Sequence, residues 1–171
     1  RNKSSDGLSS KQKILVQSFI ALISMTYLYY SSEILAETSF IVPFFKDLII
    51  PMSPFIFIFT GLFVLIASSN AVNLTDGLDG LSILPSVLIG GALGLIAYAM
   101  GNELIADYLY IPHLPLSGEL IVFCGALIGS GIGFLWYNTY PAQLFMGDIG
   151  SLTLGAVLGI IAIILRHELV F

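Results

Sequence analysis

The sequence predicts an all-α, polytopic helical membrane protein with about five transmembrane helices. Of its 171 residues, 57% are hydrophobic and only 10% are charged, and the mean hydropathy is +0.96. A soluble domain usually carries about 25% charged residues, so a soluble fold is excluded. The formal net charge of −5 argues against a nucleic-acid partner, because no basic patch is present to meet phosphates. The single cysteine, Cys124, excludes a disulfide framework.

Five apolar windows are long enough to cross a bilayer as helices. A spanning helix needs about 20 mostly apolar residues, because a rise of about 1.5 Å per residue must cover about 30 Å of hydrocarbon. The windows lack the apolar and polar alternation of a membrane β-barrel. Residues 1–171 are therefore interpreted as one membrane domain. Its predicted spans cover residues 12–30, 53–69, 81–100, 119–137 and 149–165.

Glycines recur four positions apart in three of the predicted spans. This spacing allows helix backbones to approach closely in lipid, and it indicates helix packing rather than the lining of a channel. The residues are Gly90 and Gly94 in one span, Gly125, Gly129 and Gly133 in the next, and Gly155 and Gly159 in the last.

The loops between the spans alternate between the two sides of the membrane. One side receives residues 1–11, 70–80 and 138–148, and the other receives residues 31–52, 101–118 and the tail from residue 166. The first side, together with the adjoining helix start, carries the basic residues Arg1, Lys3, Lys11 and Lys13, against Lys46 and Arg166 on the other. The positive-inside rule therefore places the first side in the cytoplasm. On the outer side, apolar residues around Pro43 predict a short interfacial hairpin.

The first cytoplasmic loop contains two carboxylates, Asp76 and Asp79, and no basic residue. If both begin the next helix, their spacing places them on one face about 5–6 Å apart, where they repel each other unless a cation is shared. Carboxylates are ligands that Mg²⁺ prefers, together with phosphate oxygens and water. A helix N-cap at Thr75 or Asp76 explains only one of the carboxylates. The loop, with Asn70 and Asn73, therefore predicts a functional site.

The second cytoplasmic loop ends in a lone carboxylate, Asp148, at the start of the last span. This carboxylate could simply complement the helix dipole. However, ionisable residues that converge on one membrane face are candidates for a functional site. Phe145 and Asn138 could offer a stacking surface and an amide to a base or sugar, or could serve packing alone.

The residues alone thus describe a membrane protein with a cytoplasm-facing acidic site that is suited to Mg²⁺ and phosphates. A phosphotransferase with a lipid substrate fits this description. A cation transporter fits less well, because its site should lie near the bilayer midplane, whereas the centres of these spans carry no charge. A scaffold segment without chemistry does not explain the three aspartates on one side.

Two motifs carry a resemblance to a known family. Residues 70–81 (NAVNLTDGLDGL) and 138–151 (NTYPAQLFMGDIGS) resemble the signatures of the phospho-N-acetylmuramoyl-pentapeptide transferases, within the polyprenyl-phosphate N-acetylhexosamine-1-phosphate transferase superfamily. Residues 2–13 and 42–47 are also similar to that family, so the resemblance covers essentially the whole chain. The related N-acetylglucosamine-1-phosphate transferases usually differ at the positions of Leu74 and Thr75.

The resemblance implies a reaction and its partners. Phospho-N-acetylmuramoyl-pentapeptide is transferred from its UDP carrier to undecaprenyl phosphate, which gives UMP and the first lipid intermediate of peptidoglycan synthesis. The implied cofactor is Mg²⁺, and the implied setting is the bacterial inner membrane, with the active site facing the cytoplasm and the protein forming a homodimer.

The resemblance also implies a role for each matching residue. Asp148 corresponds to the Mg²⁺ ligand, Asp76 to a second essential aspartate near the metal and diphosphate, and Lys13 to a lysine near the phosphates. The implied uridine pocket comprises Gly77, Leu78, Asp79, Asn138 and Phe145, the last stacking on the base, with Asn73 beside it.

The family has about ten spans, a paired-aspartate motif upstream of residue 1 and a histidine-rich loop downstream of residue 171. The chain is therefore expected to be an internal fragment that holds about five middle spans and is inactive by itself.

Overall fold

The computed structural model describes residues 9–41 and 49–167 and confirms an all-α membrane architecture. Five long helices are apolar enough to span a bilayer, and a short helix, α4, lies between the third and the fourth of them. Their bounds are α1 Ser10–Ser31, α2 Pro54–Thr75, α3 Ile83–Gly101, α4 Glu103–Leu109, α5 Leu120–Asn138 and α6 Gly147–Ile164. The predicted outer connection over residues 101–118 is thus partly helical.

The spatial order of the long helices differs from their order in the chain. The most extensive contacts join α2 to α6 and α3 to α5, while α1 packs on α2 and α6 also contacts α3. The last helix therefore lies between α2 and α3. The order across the bundle is α1, α2, α6, α3, α5. Because of this insertion, the start of α6 lies beside the end of α2.

A small hairpin lies at the end of the bundle where the C-terminus of α1 is found. Strands β1 (Ser39–Ile41) and β2 (Ile49–Pro51) pair in antiparallel register, with Phe40 opposite Ile50. The predicted hairpin is therefore confirmed in its strands, while its tip at residues 42–48, including Pro43, lies outside the described residues. Buried Arg166 fixes this end: its Nε donates to the Ser39 carbonyl over 2.8 Å and its guanidinium lies 5.0 Å from the Phe57 ring centre.

Asp76 and Asp79 do not begin the helix that follows them, so this expectation from the sequence is wrong. Helix α2 continues to Thr75, so Asn70 and Asn73 lie on the helix rather than in a loop, and Asp76 caps its C-terminal end. Asp79 lies in the following turn, before α3 begins at Ile83. The helix is extended because both asparagine side chains find partners on neighbouring helices, a tertiary contact that local sequence does not reveal.

The predicted glycine packing is confirmed in two helices, α3 and α6, and wrong in α5. A Cβ at Gly155 or Gly159 would meet Ser68 of α2, and one at Gly94 would come within 2.9 Å of Cys124. In contrast, no atom of the described residues, apart from the adjoining turns of α5 itself, lies within 4 Å of such a Cβ at three glycines of α5. These are Gly125, Gly129 and Gly133. Helix α5 packs on α3 through Gly131 and Val87 instead.

Replacing Gly155 with alanine should destabilise the protein by about 1–3 kcal/mol, because the new methyl group would press on the α2 backbone. Its Cβ would lie 2.7 Å from Ser69 Cα and still closer to the Ser68 carbonyl oxygen. Thermal unfolding in detergent would measure the loss. Gly129→Ala is the matched control, and we expect it to be neutral or slightly stabilising, since alanine favours helix and the described residues leave room for its methyl group. Equal destabilisation by both variants would contradict the α2–α6 packing described here.

Candidate active site

The side of the bundle opposite the hairpin is called here the aspartate face, because it carries Asp76, Asp79 and Asp148. Lys13, in the first turn of α1, forms an ion pair with Asp148, in the first turn of α6. Asn73, near the end of α2, donates from Nδ2 to Asp148 Oδ1 over 3.3 Å. The predicted alternation of the loops is confirmed for these three helix ends, which meet on one side.

Ser151 completes this group, and sequence reasoning did not single it out. Asn73 Nδ2 lies 2.8 Å from Ser151 Oγ, and the buried Ser151 hydroxyl donates to the Gly147 carbonyl over 3.0 Å. The available signal was its spacing, because a residue three positions after Asp148 lies on the same helical face. Lys13, Asn73, Asp148 and Ser151 are called the Asp148 cluster below.

Asp148 is held from two sides and still accessible. Its side chain is 59% exposed and that of Lys13 is 35% exposed. Gly147, with φ of +67°, allows the chain to turn into α6 in a conformation that other residues rarely adopt. This turn places Asp148 in the first helical turn, where the helix dipole stabilises negative charge. The carboxylate is thus oriented by protein donors while a ligand can reach it.

Two side chains tie the loops of the aspartate face together. Asn138 is 3% exposed; its Oδ1 accepts from the Gly80 amide over 3.0 Å, and its Nδ2 donates to the Leu144 carbonyl over 2.8 Å. Asp79 Oδ2 accepts from the Ala142 amide over 3.0 Å. We call these contacts the loop clasp. Both predicted uridine-pocket residues therefore fix the loops, and their direct contact with a nucleotide stays a prediction.

Three further residues predicted to bind uridine are open to a ligand. Phe145 is 75% exposed and Leu78 is 71% exposed. At Gly77, no atom of the described residues other than its chain neighbours lies within 4 Å of the position that a Cβ would occupy. An exposed aromatic ring can accept a planar base by stacking. Their role in nucleotide binding stays a prediction.

Asp76 lies on the same face but is engaged separately. Its Oδ1 accepts from the Ser82 hydroxyl over 2.8 Å, a contact that joins the end of α2 to the start of α3. Within residues 9–41 and 49–167, no three histidine, cysteine or acidic side chains are grouped to hold a metal ion. The three aspartates therefore share a face without forming one ligand set.

The residues present fit a Mg²⁺ ion that is bound partly by the protein and partly by the substrate. Mg²⁺ often binds through one or two carboxylates and takes its other ligands from phosphates and water. The exposed carboxylate of Asp148 provides such a ligand. Because the Lys13 ammonium pairs with Asp148 Oδ2, Mg²⁺ would have to bind beside this ammonium or replace it. The assignment of Mg²⁺ stays a prediction.

The fold and the site together define a class of protein. It is a polytopic helical membrane protein whose accessible carboxylate, lysine and tied loops at one membrane face suit a ligand that bears phosphate. The chain belongs to Glycosyl transferase family 4, since the sequence model of that family matches residues 5–166. This is the family of the polyprenyl-phosphate hexosamine-1-phosphate transferases, so the protein is a membrane-bound glycosyl-1-phosphate transferase. The resemblance of the two loop motifs is confirmed at this level.

Proposed function

We propose that the protein acts as a phospho-N-acetylmuramoyl-pentapeptide transferase in peptidoglycan synthesis. The donor is UDP-N-acetylmuramoyl-pentapeptide, the acceptor is undecaprenyl phosphate in the membrane, and the products are UMP and the lipid-linked sugar. The observation that supports a phosphate-transfer site is the Asp148 cluster, where Lys13 and Asn73 hold an exposed carboxylate beside the clasped loops. The motif over residues 70–81 favours this donor over UDP-N-acetylglucosamine.

The transfer exchanges one phosphorus–oxygen bond for another. An oxygen of the acceptor phosphate forms a bond to the phosphorus that carries the sugar, and the bond from that phosphorus to UMP breaks. The acceptor phosphate is already an anion at neutral pH, so a strong base is not required to activate it. When bound, Mg²⁺ would supply charge neutralisation on the diphosphate.

The chain's own residues then have distinct tasks in the proposed reaction. Lys13 offers a positive charge to the phosphates, and Asn73 holds Asp148 in the orientation in which it would bind the metal. The exposed Phe145 ring stacks on uracil above the clasped loops. Asp76, held by Ser82, lies near the diphosphate.

The proposal also places the aspartate face in the cytoplasm of a bacterial cell, at the inner membrane. Uridine-linked sugars are made in the cytoplasm and do not cross the bilayer, so the face that binds them must be on that side. The excess of basic residues at the start of the chain supports this orientation. The homodimer implied by the resemblance stays a prediction.

Sealed vesicles of known orientation test donor and orientation together. The intact protein that carries this sequence is placed in membranes with undecaprenyl phosphate, and UMP release is measured after adding each donor outside the vesicles. We expect inverted vesicles to use UDP-N-acetylmuramoyl-pentapeptide at least about tenfold faster than UDP-N-acetylglucosamine. Right-side-out vesicles should be inactive until they are permeabilised, and chelation of Mg²⁺ should stop the reaction.

The opposite results are equally informative. A preference for UDP-N-acetylglucosamine would assign the protein to the related N-acetylglucosamine-1-phosphate transferases. Activity only in right-side-out vesicles would overturn the orientation.

A further inference from the structure

A second polar layer lies one helical turn below the Asp148 cluster, inside the bundle. Gln17 of α1 accepts at Oε1 from Asn70 Nδ2 of α2 over 3.0 Å, and its own Nε2 lies 3.4 Å from Ser69 Oγ. The Ser69 hydroxyl donates to the Leu152 carbonyl of α6 over 2.8 Å, and Ser69 is 2% exposed. This layer therefore joins the same three helices as the cluster above it.

The two layers are in register. Gln17 follows Lys13 by one turn of α1, Asn70 precedes Asn73 by about one turn of α2, and Leu152 follows Asp148 by one turn of α6. Residues three or four apart lie on one helical face, so each lower residue lies directly beneath its upper counterpart. A shift of α1 along α2 would therefore move Lys13 and Gln17 together.

Away from the two polar layers, the described part of α1 meets α2 through apolar and aromatic contacts, including Tyr29 edge-on to the Phe57 ring. In its spanning window 11% of residues are buried, which is among the lowest values of the five spans, and it otherwise meets α2 through apolar contacts such as Met25 against Gly61. Lipid is as apolar as these side chains, so a hydrogen bond between the helices adds a directional constraint that apolar contacts do not supply. The Lys13–Asp148 pair is partly exposed and so contributes little to holding α1. The Gln17–Asn70 amide pair is the specific contact at this depth.

We propose that Gln17 and Asn70 are positioning residues for sugar-phosphate transfer. By fixing α1 against α2, they hold the Lys13 ammonium at Asp148, where the substrate phosphates bind. This inference rests on the proposed function of the Asp148 cluster. It assigns a role to two residues that touch neither substrate nor metal, and that act only through the position of Lys13. A small displacement of a charged group from a reacting phosphate is sufficient to slow the reaction strongly.

The test uses the intact protein in lipid nanodiscs and the donor that the wild-type protein turns over. We expect Gln17→Leu and Asn70→Leu each to lower kcat about tenfold, with KM for the nucleotide donor changed less than about twofold. Because the pair acts as a unit, the double variant should be no slower than either single variant. Thr26→Val is the matched control, since Thr26 donates only within α1, to the Leu22 carbonyl over 2.7 Å. It should keep wild-type kcat.

A Lys13→Met background separates positioning from general support of the fold. If Gln17 acts through Lys13, adding Gln17→Leu to Lys13→Met should not reduce kcat further. A further reduction there would overturn the proposal. The exchange Gln17→Asn with Asn70→Gln keeps one short and one long amide, and it should restore kcat to within about threefold of wild type. An exchange variant that melts like wild type but remains as slow as Gln17→Leu would also overturn it.

Failure of the proposed function is seen separately, in the wild-type protein. If the wild type does not use UDP-N-acetylmuramoyl-pentapeptide, the assigned donor is wrong, and the same set of variants is measured with UDP-N-acetylglucosamine. The kcat values of those variants with that donor then decide whether Gln17 acts through Lys13.

Discussion

Replacing Asp148 with asparagine should lower kcat for sugar-phosphate transfer by about a hundredfold or more while the helix bundle stays folded. Loss of a metal-binding carboxylate removes several kcal/mol of transition-state stabilisation, and each 1.4 kcal/mol corresponds to about tenfold in rate. Asparagine has nearly the same shape and keeps an oxygen that can accept from Asn73 Nδ2. The substitution therefore removes the charge that faces Lys13 and that would bind the proposed metal, with little change in packing.

UMP release by the purified protein, measured across a range of Mg²⁺ concentrations, checks this expectation, with thermal unfolding as the test of folding. Asp107→Asn is the matched control, because Asp107 is an exposed carboxylate on α4, away from the aspartate face. It should leave both activity and stability unchanged. Near-normal turnover by Asp148→Asn at low Mg²⁺ would show that this carboxylate does not bind the metal.

The spans could be predicted because the bilayer sets their length and apolar character directly. Each predicted window corresponds to one long helix, and most predicted ends agree to within a few residues. The end of α2 could not be predicted, since the partners that Asn70 and Asn73 find on α1 and α6 are tertiary contacts that local sequence does not reveal. Asparagine by itself favours turns, so local sequence indicated a loop there.

The arrangement of the helices in the bundle could be predicted even less well than the helix ends. Hydropathy does not tell which apolar faces meet, and the position of α6 between α2 and α3 follows from close contacts such as Gly155 against Ser68. This position brings Asp148 to Asn73 and Lys13, so the site could be predicted as residues on one face but not as a contact network. Gln17 was missed because a single glutamine in an apolar span has no motif around it.

Asn138→Ala should separate the two loops of the aspartate face and weaken nucleotide binding by about tenfold or more. The variant leaves the Gly80 amide and the Leu144 carbonyl without the partners that Asn138 provides. Each of these part-buried hydrogen bonds contributes about 0.5–1.5 kcal/mol, and about 1.4 kcal/mol is equivalent to tenfold in affinity. Asp79, which accepts from the Ala142 amide, is then the remaining contact of the loop clasp. Phe145, next to Leu144, loses its fixed position for stacking.

Titration with a UDP-sugar measures the affinity, and hydrogen exchange over residues 139–146 measures the order of the loop. Thr139→Ala is the matched control, because the neighbouring Thr139 is exposed and its hydroxyl bonds only locally, to the Trp136 carbonyl over 3.4 Å. Its affinity and exchange should match wild type. If Asn138 acts through the clasp, faster exchange in the loop must accompany the weaker binding of Asn138→Ala. Weaker binding with unchanged exchange would mean that the Asn138 amide contacts the nucleotide directly, because the loop would then be intact without it.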